Sequence, residues 1–298
     1  MSSSAPMLGV VNLDKPVGPT SHDMVGLLRR LTAMRRIGHA GTLDPLASGV
    51  LPILVGAATR FSEELSGGAK RYTAVVRLGQ RSLTDDAEGP ITSDPGPLPD
   101  DEGLAAALAS FVGTFEQIPP AFSARKRDGM TAYRAARAGT PIELAPRLVR
   151  VDQIDLLATK HGDGWLDAEI DLRCGAGTYV RSIARDLGER LGCGGHLDAL
   201  RRTEAAGLRA EAAVTPARLE ELADGGRLAE AIVPIEVLLP LPHLTLAPDE
   251  VRRFLHGAAQ PLAGGPGVGR HVIYDGTELL GIGTLQEGIL RPDKVLSR

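Results

Sequence analysis

Gly38-His39-Ala40-Gly41-Thr42-Leu43-Asp44-Pro45-Leu46-Ala47-Ser48-Gly49 runs directly into Val50-Leu51-Pro52-Ile53-Leu54-Val55. A polar, glycine-rich loop is thereby delivered onto an apolar run of the kind that forms a buried strand. Taken alone, the Asp44-Pro45 pair is also compatible with an ordinary turn. Upstream, residues 9–13 (GVVNL) read as a short strand broken by Asp14-Lys15-Pro16 and Gly18-Pro19. A helix is predicted next: Thr20 and Asp23 have capping-box spacing, and Met24, Val25, Leu28 and Leu31 share one face.

Downstream, Tyr72, Ala74, Val76 and Leu78 alternate with Thr73, Val75 and Arg77, which predicts a half-buried strand. The tract 93–100 reads as a surface loop and Leu104 to Phe111 as a short helix. Residues 116–146, with paired prolines, glycines and many cations, suit an excursion from the core. Leu166, Ala168, Ile170 and Leu172 mark another alternating strand, and Val180, Ile183, Ala184, Leu187 and Leu191 repeat at helical spacing behind Thr178 as the expected cap. Thr215-Pro216 opens a further helix. The proline-rich 238–242 stretch reads as a linker, followed by a helix near 248–256 and strands near 271–274 and 278–285. Strands mixed with helices without regular βα alternation favour an α+β fold with a mixed, mainly antiparallel sheet. The expected division is a body over 1–240 with an insertion at about 116–146, and a small β-rich unit over 241–298.

Hydrophobic residues make up 43% and charged residues 23% of the 298, the balance of a packed globular chain. No run approaches the roughly 18 apolar residues of a membrane span, and no secretion signal is evident, so a cytoplasmic location is expected. Cys174 and Cys193 lack the spacing of a zinc site or a disulfide framework. There is no HExxH or P-loop, and neither GAGTYV nor GGPGVGR makes a dinucleotide fingerprint, so no metal or cofactor is expected. The net charge of −4 argues weakly against a nucleic-acid partner. It hides a cationic segment, however: Arg125, Lys126, Arg127, Arg134, Arg137, Arg147 and Arg150 face only Asp128 and Glu143 between 121 and 150. Arg29, Arg30, Arg35 and Arg36 form a second group. Either group is open to two readings, a solvated face or an RNA contact.

The 38–49 segment resembles the catalytic loop of the TruB family of pseudouridine synthases over twelve contiguous positions. Other stretches follow in the family's order: Leu13-Asp14-Lys15-Pro16 with Gly18, Lys70-Arg71-Tyr72 with Leu78-Gly79, Pro119 to Lys126, Gly177 to Ser182, and Cys193-Gly194-Gly195-His196 through Leu200-Arg201-Arg202. The tail after Leu238 is similar, more weakly, to a PUA-like module. The resemblance implies isomerisation of the T-loop uridine at position 55, in the T-arm of tRNA, by a monomer that needs no cofactor. It implies Asp44 as the catalytic carboxylate, paired with Arg181. Tyr72 would stack on the flipped base and take part in C5 deprotonation, and Tyr179 and Leu200 would belong to the substrate-binding wall. His39 would hold the RNA loop, Lys15 would orient the active-site loops, and Arg125, Lys126 and Arg127 would grip RNA from the insertion.

The residues suit that chemistry. The reaction breaks N1–C1′, reorients the uracil, joins C5 to C1′ and removes the C5 proton. A carboxylate ionised at neutral pH can serve it as a nucleophile at the sugar or base, or as a base on the sugar. Blander roles remain compatible with the local patterns: a core tyrosine for Tyr72 or Tyr179, a loop histidine for His39, and an exposed lysine for Lys15. A non-catalytic RNA-binding or tRNA-folding protein is the main alternative, but it would not require Asp44. A glycoside hydrolase would need two flanking carboxylates, and the matched motifs supply one.

Overall fold

A computed structural model of the chain describes residues 7–94, 96–123, 126–127, 130–138, 140, 142, 144–262 and 267–296. Strand β1 (Gly9–Lys15) leads into helix α1 (Ser21–Thr32). Thr20 caps α1 by accepting the Asp23 N–H at 3.1 Å, and the Asp23 carboxylate accepts the Thr20 N–H at 2.8 Å. The helix buries Met24, Val25, Leu27 and Leu28 and ends at Ala33, which adopts a φ of 55°. Strands β2 (Ile37–His39) and β3 (Ala47–Val55) pair antiparallel, with the Asp44 loop between them.

Helix α2 (Ser62–Ser66) precedes β4 (Lys70–Leu78), whose Tyr72, Ala74, Val76 and Leu78 are buried as the alternation predicts. β5 (Gln80–Ser82) and β6 (Ile91–Ser93) form a hairpin. Helix α3 (Asp101–Ala109) begins before the expected Leu104 because Asp100 accepts the Gly103 N–H at 2.8 Å. After β7 (Gly113–Gln117), β8 (Lys126–Arg127) pairs with β9 (Met130–Thr131) in a separate two-stranded sheet, and α4 (Ala132–Arg137) follows. β7 belongs to the main sheet, and β8 and β9 lie apart from it.

β10 (Arg147–Gly162) and β11 (Trp165–Cys174) form a long hairpin ahead of α5 (Val180–Leu191). The predicted Thr178 cap is absent: Tyr179 occupies the N-cap without a side-chain cap bond, and Thr178 Oγ1 instead donates to the Arg150 carbonyl at 3.4 Å. The reason lies on β7. The Gln117 amide accepts the Tyr179 N–H at 2.9 Å and donates to the Tyr179 carbonyl at 3.1 Å, so a distant side chain fixes the helix entry. β12 (Gly195–Ala205), β13 (Leu208–Arg209), α6 (Pro216–Asp224) and β14 (Ile232–Val233) complete the body. Thr215 caps α6 with Pro216 in its first turn, as expected.

The main sheet runs β14-β1-β3-β12-β4-β11-β10-β7, with β13 on β12 and β2 on β3. It is mixed: among the described residues its one parallel pairing joins β12 to β3, with Leu200 opposite Ala47. That pairing, together with Arg202 opposite Tyr72 on β4, brings the Asp44 loop, the start of β4 and the middle of β12 to one place. Gly49 makes the close crossing possible. At φ +99°, a Cβ there would lie 2.2 Å from the Arg202 carbonyl oxygen. Gly49→Ala combines positive-φ strain with backbone overlap and is expected to cost about 3 kcal/mol. Thermal unfolding followed by circular dichroism should show a midpoint lower by roughly 5 °C or more.

Beyond the body, β15 (His243–Thr245), α7 (Pro248–Leu255), β16 (Gln260–Pro261), β17 (Gly269–Asp275), β18 (Glu278–Gln286) and β19 (Ile289–Val295) build a five-stranded sheet in the order β15-β17-β18-β19-β16. The proline-rich stretch is not a free linker. Leu239 is buried in a cluster that joins Val10, Leu54 and Phe61 of the body to Val272 and Ile282 of the second sheet. Lys294 and Arg270 also reach Glu64 on α2, at 2.8 and 2.9 Å. Among the described residues no helix is long and apolar enough to cross a membrane.

Candidate active site

The backbone on both sides of Asp44 is tied down. Ser21 Oγ accepts the Leu43 N–H at 2.8 Å and donates to the Leu43 carbonyl at 2.9 Å. The Pro45 carbonyl accepts from the Gly18 N–H at 2.9 Å and from Lys15 Nζ at 3.5 Å. Lys15 also donates to the Pro16 and Pro19 carbonyls at 2.8 and 2.7 Å. The exposed-lysine reading is therefore wrong: Lys15 is fully buried. Burial pushes its ammonium below the usual lysine range, and the Asp44 charge opposes that shift. On the other side, Arg202 donates to the carbonyls of Val50 at 2.7 Å, Gly41 at 3.1 Å and Thr42 at 3.3 Å.

This loop forms one wall of a cleft of about 770 Å³ that Tyr72, Asp86, Tyr179, Arg181, Leu200 and Arg202 also line. Arg181 Nη2 meets Asp44 Oδ2 at 3.0 Å, with the Arg181 side chain only 7% exposed and that of Asp44 41% exposed. The same guanidinium contacts Asp86 Oδ2 at 3.3 Å and donates to the carbonyls of Thr84 at 3.2 Å and Phe122 at 3.0 Å. Asp86 is held in turn by the Thr84 hydroxyl at 2.5 Å and the Glu88 N–H at 3.1 Å. One residue earlier, Asp85 pairs with Arg185 at 2.9 Å, so the 83–88 turn is bolted to successive turns of α5. A rigid fork is thus aimed at a half-exposed carboxylate from a buried, fully partnered base.

Tyr72 is buried at the first inward position of β4, with its aromatic side chain on the cleft. Burial pushes its phenol up, while the neighbouring Arg202 guanidinium pulls back. Leu200, opposite Ala74 and Ala47, and Tyr179, held by Gln117, lie in the same lining. Burial and the nearby Asp86 and Asp44 carboxylates push the Glu88 carboxyl up. His39 is not brought into the cleft lining. It ends β2 with Nδ1 buried and without a hydrogen-bond partner among the described residues, and burial lowers its pKa. Arg125 lies outside the described residues. Lys126 and Arg127 are described only as backbone of β8, and their side chains also lie outside. In the other cationic group, Arg30 pairs with Glu220 at 3.0 Å and Arg29 donates to the Ile37 carbonyl at 3.1 Å. Among the described residues, no group of three or more His, Cys, Asp or Glu side chains is arranged to hold a metal.

Sequence reading missed Ser21, Asp86 and Arg202 as parts of this site. Asp86 sits in a polar turn, Thr84-Asp85-Asp86, that looks like any solvated connection. Ser21 follows the Thr20 cap and reads as the first residue of α1.

Comparison with known proteins meets this geometry. A model of the TruB family pseudouridylate synthase N-terminal domain matches residues 29–180, and one of the tRNA pseudouridylate synthase B C-terminal domain matches residues 181–240. The chain is 43% identical to the tRNA pseudouridine synthase B of Ralstonia nicotianae, over 97% of this chain and 94% of that protein. It is 41% identical to the protein of that name from a Mycobacterium species, over 97% and 95%. Among solved structures, it superposes with a TM-score of 0.73 on a chain of an H/ACA RNP bound to a substrate RNA containing 2'-deoxyuridine, at 26% identity, covering 98% of this chain and 86% of that one. A chain of a Cbf5-Nop10-Gar1 complex gives 0.72 at 28% identity, covering 97% and 85%. The chain belongs to the TruB family of pseudouridylate synthases.

Proposed function

We propose that this chain isomerises uridine to pseudouridine in tRNA, at the T-loop uridine of the T-arm (position 55), as a cytoplasmic monomer. The observation that carries the reading is the 3.0 Å pair between Arg181 and Asp44, in a cleft with Tyr72 on its lining. The buried guanidinium holds one oxygen of Asp44 while the carboxylate stays open to the cleft. A pinned loop on each side prevents it from retreating when a nucleotide enters. An everted uridine with its base on Tyr72 sets the ribose–uracil junction against Asp44. Catalysis then rests on placement and on one charged oxygen pair. Tyr72 contributes to removal of the C5 proton, and Leu200 and Tyr179 enclose the base.

In this reading residues 1–240 form the catalytic unit. Its 116–146 insertion grips the RNA backbone through Arg125, Lys126 and Arg127, and residues 241–298 form a PUA-like unit. His39, outside the cleft lining, acts on the flipped RNA loop, not on the reacting atoms. The direct test is to incubate the protein with an unmodified tRNA transcript and map pseudouridine at nucleotide resolution. One new pseudouridine in the T-loop is the expected result. No pseudouridine at all would remove the activity, and pseudouridine only elsewhere would remove the T-arm assignment.

A further inference from the structure

Arg201 and Arg202 are adjacent in the sequence and opposite in fate. Arg201 makes a bidentate pair with Asp14 at 3.0 Å near the surface, whereas Arg202 is 1% exposed. Strand alternation explains the split, since neighbouring residues of β12 point to opposite faces. A guanidinium is retained in such a place only when its donors are taken up. Here they go to the carbonyls of Gly41, Thr42 and Val50, and Arg202 forms no ion pair among the described residues. Two of those carbonyls immediately precede Leu43-Asp44, and the third lies on β3 just after the loop closes. Across the sheet, Arg202 stands opposite Tyr72 in the β12–β4 register. The Arg202 side chain therefore touches the loop that carries the carboxylate and the strand into which that loop feeds, and its guanidinium acts on the Tyr72 phenol by charge and a side-chain hydrogen bond.

We propose that Arg202 is a positioning residue of the reaction, fixing the spacing between the Asp44 loop and the Tyr72 ring through its fork of bonds to backbone carbonyls. This inference rests on the reading of Asp44 and Tyr72 given above. Its surroundings agree with a cation that is not neutralised locally: burial is the main cause that lowers the pKa of Lys15, His39 and Lys70, and the Arg202 charge lowers each further. Lysine at this position keeps the charge but loses the planar fork, and glutamine keeps an amide but loses the charge.

The test compares tritium release from tRNA carrying 5-tritiated uridine with tRNA binding for the unsubstituted chain, Arg202→Lys and Arg202→Gln. Small misplacements of reacting groups cost up to about 100-fold in rate. The expected result is a kcat lower by about 10-fold in Arg202→Lys and about 100-fold in Arg202→Gln, with the tRNA dissociation constant within about 3-fold and cooperative unfolding retained. A kcat within about 3-fold of normal in both variants would overturn the proposal. So would a rate loss matched by an equal loss of binding. If neither variant folds cooperatively, Arg202 belongs to the fold and the proposal is likewise overturned. An unsubstituted chain that releases no tritium would instead remove the reading of the reaction on which the proposal stands.

Discussion

Asp44→Asn is expected to bind tRNA within a few-fold of the unsubstituted chain while its turnover falls by at least about 10⁴-fold. The substitution keeps the shape of the side chain and an oxygen that can accept from Arg181, but removes the ionised oxygen pair. Its structural cost is small. The Asp44 side chain is 41% exposed, and partly exposed pairs of this kind contribute at most about 1 kcal/mol. Arg181 also keeps Asp86 and two carbonyl partners, so its guanidinium is not stranded. Binding is expected to rest on contacts away from this oxygen pair, and the loop stays pinned through residues 41, 42, 43 and 45. The discriminating measurement pairs tRNA binding with tritium release from 5-tritiated uridine. Residual turnover above about one part in ten would defeat the assignment of the carboxylate, because a group that does the chemistry contributes far more than that. Asp44→Ala serves as the companion, since it cannot revert to aspartate by deamidation.

Where local pattern alone reaches this site, it fixes the placement of elements and not the role of a side chain. The loop 38–49 could be placed because an apolar run follows it, and β3 indeed takes over at Ala47. Tyr72 could be assigned inward because its strand alternates cleanly, and α1 could be started because Thr20 and Asp23 form a closed local bond pair. Residues whose role depends on distant partners were not legible in local pattern: Arg181, Tyr179 and Leu200 enter only through the family resemblance, and Ser21, Asp86 and Arg202 not at all. Gly195–Ala205 carries charges on both faces, so it did not announce itself as a central strand. Those charges are absorbed by Asp14 on one side and by loop carbonyls on the other. Had β12 been recognised, period-two alternation would have separated Arg201 from Arg202. The burial of Lys15 is hidden from local pattern for a related reason. Its neighbours Pro16, Pro19 and Pro45 have carbonyls but no N–H, and a chain folded back on itself there accumulates acceptors without backbone donors. A buried ammonium with three donors satisfies them, which reverses the usual preference of lysine for solvent.

Arg181→Met is expected to lower turnover by at least about 10³-fold and, unlike Asp44→Asn, to destabilise the fold by about 3–5 kcal/mol. The difference follows from burial. Asp86 has a side chain only 4% exposed, and removing the guanidinium leaves its carboxylate without a charged partner among the described residues, in a place water scarcely reaches. The carbonyls of Thr84 and Phe122 lose the Arg181 donor at the same time. A second substitution separates the two consequences. In Arg181→Met with Asp86→Asn the buried charge is gone, and an amide can still accept from the Thr84 hydroxyl and the Glu88 N–H. Stability in urea unfolding should therefore recover by about 2 kcal/mol while turnover stays at the level of the single variant. Recovery of activity together with stability would mean that Arg181 serves only to hold the 83–88 turn on α5, a task already shared by the Asp85–Arg185 pair. Recovery of stability alone assigns the guanidinium two separable tasks, neutralising Asp86 on its buried side and presenting Asp44 on its open side.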